Sequence, residues 1–252
     1  MNTDLPKTIP ANNSYDFQVK YTATSIESIF ANICFKGQPC NFNFSGKLIG
    51  ETTKRIYLLN DDFENYSVNE FPTDGAWVKC YGIDSLGFIV DTKSKSGKKS
   101  FYIEGVSKPD IITYQVKHRI NKAPDKLFVE AWIMIAQGHA GSGIFIGSSD
   151  PNSCYASVQY GNHEHYFSTF GNKEGIWPEK PAYYHGGIMQ WNKLAFQFDR
   201  NSKTQKVYIN DFLVYEDNCV TCNFGIVESV FLYASQTGAY IDDIKVWYYE
   251  GE

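Results

Sequence analysis

Lys126-Leu-Phe-Val-Glu-Ala-Trp-Ile-Met-Ile-Ala136 is apolar on both faces of an extended chain, apart from Glu130 and the opening lysine. So short an apolar run, with β-branched and aromatic residues in it, reads as a central strand of a sheet covered on both sides. The same pattern continues outward in both directions: short alternating segments separated by turn residues, with no long stretch at helical spacing. The chain is therefore expected to be all-β. Upstream, strands are expected at residues 88–91, 99–104 and 111–119. Downstream they are expected at residues 143–147, 155–160, 166–170, 193–199, 206–209, 212–215, 230–234 and 240–247. About a dozen strands of this length suit a two-sheet sandwich of the jelly-roll kind.

Composition agrees. Of 252 residues, 43% are hydrophobic, and 18 Tyr, 18 Phe and 5 Trp make the chain unusually aromatic, which favours strands. The formal net charge is −5, and the longest basic block is the short stretch from Lys93 to Lys99, which argues against nucleic acid as a partner. No window approaches the ~18 consecutive apolar residues of a membrane helix. The polar opening, residues 1–13, lacks the basic start and apolar run of a signal peptide, so either the protein stays inside the cell, or the chain begins after a leader or partway through a larger secreted protein, the last being the preferred reading.

Before residue 60, strands are expected at residues 15–22, 28–35, 41–44 and 54–59, with Gly37-Gln38-Pro39 and Gly46 as punctuation. This gives a small β-rich module, Ig-like or a partial sandwich, over residues 1–59, and a boundary at Leu59-Asn60. Such a module is marginal alone and needs another layer, either the second domain or a neighbouring one. Six cysteines allow bridges: Cys34 and Cys40 bracket a turn, Cys219 and Cys222 form a Cys-x-x-Cys pair, and Cys80 and Cys154 are left over. Buried free thiols are the plain alternative. Asn-x-Ser sequons at Asn12, Asn43 and Asn65 permit glycosylation of a secreted chain.

Four stretches after residue 60, read in order, carry a family resemblance. They are Asn60-Asp-Asp-Phe-Glu-Asn-Tyr66 with Phe71-Pro-Thr-Asp-Gly-Ala-Trp77; Gly97-Lys-Lys-Ser-Phe-Tyr-Ile-Glu-Gly105; Trp191-Asn-Lys-Leu-Ala-Phe-Gln-Phe-Asp199 running into Val207-Tyr-Ile-Asn-Asp-Phe-Leu-Val214; and Tyr240-Ile-Asp-Asp-Ile-Lys-Val246. In this order, residues 60–252 resemble the laminin-G-like, concanavalin A-like lectin and glucanase superfamily. One departure is Asp211 where the hairpin usually has glycine, a position that asks for positive φ.

The resemblance implies a β-sandwich of two antiparallel sheets, one concave, with carbohydrate as the common ligand class. It does not imply catalysis. Members that hydrolyse β-glucans carry Glu-x-Asp-x-x-Glu on one strand, and that motif is absent here: Glu130, the nearest candidate, has no second carboxylate two or four residues away. The resemblance also implies a structural calcium joining the two ends of the domain. Asp61, Asp62, Asp242 and Asp243 are its candidate ligands, with Asp61 and Asp242 pointing inward by strand alternation, and hard oxygen donors of this kind suit Ca²⁺. The bland reading is that these are solvated acids at strand ends.

Saccharide contacts are expected from Gly161-Asn-His-Glu-His-Tyr-Phe167 and Trp177-Pro-Glu-Lys-Pro-Ala-Tyr-Tyr-His185. Aromatic rings pack on the apolar face of a pyranose while amide and imidazole groups bond its rim. The candidates are Tyr160, Asn162, His163, His165, Trp177, Tyr183, Tyr184 and His185, against the alternative that these rings are packing residues. Trp132 and Trp191 read as core. The expected function is a non-catalytic, lectin-like extracellular module that binds glycan. A glycoside hydrolase, a polysaccharide lyase and a purely structural or adhesive surface module are the alternatives.

Overall fold

The computed structural model describes residues 28–36, 43–51, 54–72, 76–80, 87–105, 116–136, 142–150, 154–160, 167–168, 189–218, 224–234 and 238–250. The described residues are strands, turns and bends with no helix, so the all-β expectation holds. Two compact units divide the chain, Met1–Lys54 and Arg55–Glu252.

In the first unit, β1 (Ser28–Lys36) and β2 (Asn43–Glu51) form an antiparallel ribbon with Ser28 opposite Glu51 and Lys36 opposite Asn43. The second of these strands runs well beyond the expected 41–44. Gly46 reads as punctuation, yet it lies opposite Ile33 inside the ladder, where a glycine lacks only a side chain to pack. The expected strand at 15–22, Cys40 and the Cys219–Cys222 pair lie outside the described residues.

The boundary expected at Leu59-Asn60 falls inside β3 (Arg55–Asp61), which belongs to the second unit. It pairs antiparallel with β16 (Ala239–Tyr249), Asp61 opposite Ile244 and Arg55 opposite Tyr249. Leu59 is buried there, so this alternating segment finds its sheet in the sandwich rather than in the ribbon.

Two antiparallel sheets make the sandwich. The eight-stranded sheet runs β14 (Phe212–Asn218), β13 (Thr204–Ile209), β12 (Asn192–Asp199), β8 (Lys126–Ile135), β16, β6 (Ser100–Ile103) and β5 (Gly87–Val90), with β3 also beside β16. The six-stranded sheet runs β11 (Phe167–Ser168), β10 (Cys154–Tyr160), β9 (Ser142–Gly147), β15 (Ser229–Ala234), β7 (Val116–Arg119) and β4 (Trp77–Lys79). Period-two alternation sends Leu127, Val129, Ala131, Leu194, Phe196 and Phe198 from the larger sheet into one core. There they join Ile144, Ile146, Val230 and Leu232 from the smaller sheet. Full burial of each such side chain stabilises by roughly 1.5–3 kcal/mol before entropy is counted.

The decisive stretch is central, as expected, with β12 and β16 on its two sides. Its outer face is only half covered: Phe128, Glu130 and Trp132 are half-buried while Leu127, Val129 and Ala131 are fully buried. Trp132 is therefore not core, and the Lys95 ammonium lies 4.2 Å from its ring centroid. The sheet whose strands are buried on both faces is the smaller one. All residues of β9 and β15 are buried, and Phe145, Phe231 and Tyr233 form a second cluster on which Cys80, a free thiol, packs. At the β13–β14 turn, Asn210 and Asp211 have φ of 48° and 71°, so the departure from glycine is accommodated in the left-handed region.

Candidate functional site

The acidic doublets meet where β16 changes partners. Residues 239–241 of this strand pair with β6, whereas 244–249 pair with β3. Asp242-Asp243 spans the changeover, where the ladder to β8 also slips and Asp243 takes φ 49°. A bulge of this kind re-aims side chains. Because Asp61 lies opposite Ile244, the two doublets are brought close by the first and last strands of the sandwich.

Each aspartate is met by donors. Asp61 Oδ1 accepts the Phe63 N–H at 2.9 Å, and its Oδ2 accepts the Tyr66 hydroxyl at 2.7 Å and the Trp77 indole N–H at 2.8 Å. Asp62 is exposed and accepts the Glu64 N–H at 3.2 Å. Asp242 is fully buried; its Oδ2 accepts the N–H groups of Lys95 and Ser96 at 2.7 and 3.1 Å, and its Oδ1 that of Asp243 at 2.8 Å. Asp243 accepts the Ser96 hydroxyl at 3.1 Å. Burial pushes the Asp242 carboxyl up to about 6, overcoming the lowering pull of the three N–H groups, and the Asp243 charge adds to the rise.

Two residues that the sequence reading did not single out complete the junction. Glu64 Oε1 accepts the N–H groups of Lys98 and Lys99, each at 2.7 Å, and the Lys99 ammonium donates to the carbonyls of Glu64 at 2.8 Å and Tyr66 at 2.7 Å. Gly97, at φ 54°, allows the loop to approach, since a Cβ there would lie 2.3 Å from Glu64 Oε1. The signal available in the sequence was the lysine-rich stretch 93–99, which composition alone reads as a solvated charge run.

Calcium requires about six to eight oxygen ligands with free lone pairs. At this junction N–H and O–H groups point at the carboxylates, and both oxygens of Asp61 and of Asp242 are already acceptors. Among the described residues no three His, Cys, Asp or Glu side chains gather as a metal-holding group.

The saccharide candidates Asn162, His163, His165, Trp177, Tyr183, Tyr184 and His185 lie outside the described residues. For Tyr160 the backbone is described: it ends β10 opposite Phe167 of β11, at the edge of the six-stranded sheet.

On the outer face of the larger sheet, Glu130 is held by Lys193 at 2.9 Å and Lys245 at 3.6 Å, and Lys193 also contacts Asp211 at 2.9 Å. The Lys193 ammonium is raised in pKa: burial opposes this, but the two carboxylates outweigh it. Further along the same face, Phe88, Tyr102 and Tyr240 make a ring-to-ring strip, with centroids 5.5 and 4.8 Å apart. Burial, with the neighbouring Tyr240 and Glu104, raises the Tyr102 hydroxyl pKa. No helix among the described residues is long and apolar enough to cross a membrane.

No protein-family model matches the chain, and no curated protein is similar to it in sequence. Solved structures are similar in fold. A cellulose-induced protein, Cip1, matches with a TM-score of 0.55 at 14% identity, covering 75% of this chain and 96% of its own. A β-agarase A solved in complex with oligoagarose matches with a TM-score of 0.55 at 10% identity, covering 77% of this chain and 93% of its own. With the strand order above, these likenesses establish the architecture as a jelly-roll β-sandwich of two antiparallel sheets.

Proposed function

We propose that the chain is a non-catalytic carbohydrate-binding protein, acting outside the cell or at its surface, whose saccharide contacts come from residues 160–185. The observation that carries this reading is the sandwich shared with Cip1 and with a β-agarase solved around oligoagarose. The stretch 160–185 supplies the chemistry a pyranose needs, with Trp177, Tyr183 and Tyr184 as stacking rings and Asn162, His163, His165 and His185 as rim hydrogen-bonding groups. Rigid aromatics lose little entropy on binding, and the polar groups set specificity.

A non-catalytic role is favoured over hydrolysis because Glu130, the nearest sequence candidate for a glucanase acid, has no second carboxylate two or four residues away and is held between two lysines. The test is a glycan array followed by incubation with each polysaccharide retained. Saturable retention without new reducing or unsaturated ends supports the reading. Release of such ends identifies an enzyme, and a blank array with intact fold identifies a structural module.

A further inference from the structure

The junction that gathers the two acidic doublets is closed by a loop carrying Lys93, Lys95, Lys98 and Lys99 between β5 and β6. A structural metal would hold such a place by collecting carboxylate and carbonyl oxygens around one positive charge. Here those oxygens are distributed over donors of the chain itself. Glu64 takes two backbone N–H groups from one side of the loop, and Asp242 takes two from the other. The carbonyls of Glu64 and Tyr66, which directly follow β3 and its aspartates, converge on the Lys99 ammonium. Lys99 is half-buried and both bonds of its ammonium are partly shielded from water, which strengthens these charge-assisted hydrogen bonds relative to those of an exposed lysine.

We propose that Lys99 is a built-in structural cation: its ammonium, with the backbone N–H groups of Lys98 and Lys99, ties the entry segment 64–66 to the loop before β6, while the N–H groups of Lys95 and Ser96 tie Asp242 to the same loop, so the sandwich closes without a divalent metal. This departs from the calcium that the family resemblance implies, and it is independent of the saccharide reading.

Thermal melting of the full chain tests this in two ways. The wild type is melted in excess EDTA, then in millimolar CaCl₂ after metal removal; its Tm is expected to stay constant to within about 1 °C, because nothing binds by mass action. Lys99→Met keeps the aliphatic stem and removes the charge, and is expected to lower Tm by roughly 4–8 °C, whereas Lys99→Arg retains a cation and is expected to recover at least half of that loss. The arginine variant keeps the comparison decisive if the methionine variant fails to fold. A wild type stabilised by calcium, or destabilised by EDTA, overturns the proposal. So does a Lys99→Met variant that melts with the wild type, or a Lys99→Arg variant no better than Lys99→Met.

Discussion

The Trp77 indole N–H donates to Asp61 Oδ2 at 2.8 Å, joining the start of the six-stranded sheet's edge strand to the end of β3 in the other sheet. Trp77 is buried, and its ring also packs against Phe63, Phe101 and His118. Asp61 thus satisfies a buried indole and a tyrosine hydroxyl while bridging the two layers. Asp61→Ala leaves both donors without their acceptor and is expected to cost about 2–4 kcal/mol, read by urea denaturation. Asp61→Asn keeps one acceptor oxygen and is expected to lose less. Equal losses from the two variants would show that the hydrogen bonds are not what Asp61 contributes.

Gly97 is exposed, yet its backbone sits at φ 54° and its α-carbon faces the Glu64 carboxylate. Gly97→Ala is expected to destabilise by about 2–3 kcal/mol, combining left-handed strain with displacement of Glu64. In the Glu64→Ala background the added methyl meets no carboxylate, so the penalty for Gly97→Ala is expected to shrink toward the backbone part alone, about 1 kcal/mol. An unchanged penalty would assign the whole effect to backbone strain.

Asp242 gives the fold a pH dependence. Its carboxyl titrates at about 6 in the folded chain against 3.8 for the ordinary group, because burial penalises the charge. The folded state therefore binds more protons between these values. The contribution of this group is fully present below about pH 4 and is lost as pH rises through about 6. Allowing for screening by nearby solvent, the loss is on the order of 1–2 kcal/mol. Asp242→Asn cannot titrate, so its stability measured by denaturation from about pH 4 to pH 7 is expected to lack this fall. A wild type and variant with parallel profiles would contradict the assignment.

Glu130 is expected to be structural. Glu130→Gln leaves Lys193 and Lys245 without their shared counter-charge and is expected to cost about 1–2 kcal/mol in stability, since the pair is partly shielded from water. Saccharide retention is expected to match the wild type. Lost retention with unchanged stability would move the binding surface to this face.

Much of the sandwich was legible because alternation is a local signal: β8, β10, β12, β13 and β15 lie within a few residues of their expected bounds. The short β4 was missed because three residues, Trp77–Lys79, carry no periodicity. Trp132 was misplaced because an apolar strand can be buried on one face and half-covered on the other, a difference set by what lies above the sheet. At the junction, alternation placed Asp242 inward. It gave no sign that its partners are the N–H groups of Lys95 and Ser96, up to 147 residues away in sequence. Hydrogen-bond donors on the backbone have no sequence signature, so a cluster of acids reads equally well as a metal site or as a capped loop.

The most direct test of the carbohydrate reading is affinity electrophoresis through gels containing a polysaccharide retained on the array, with wild type beside Trp177→Ala and His163→Ala. The account predicts a wild type slowed in proportion to polysaccharide concentration, both variants slowed several-fold less, and all three melting alike. Folded wild type that migrates as freely as in an empty gel, through every polysaccharide tried, would contradict it.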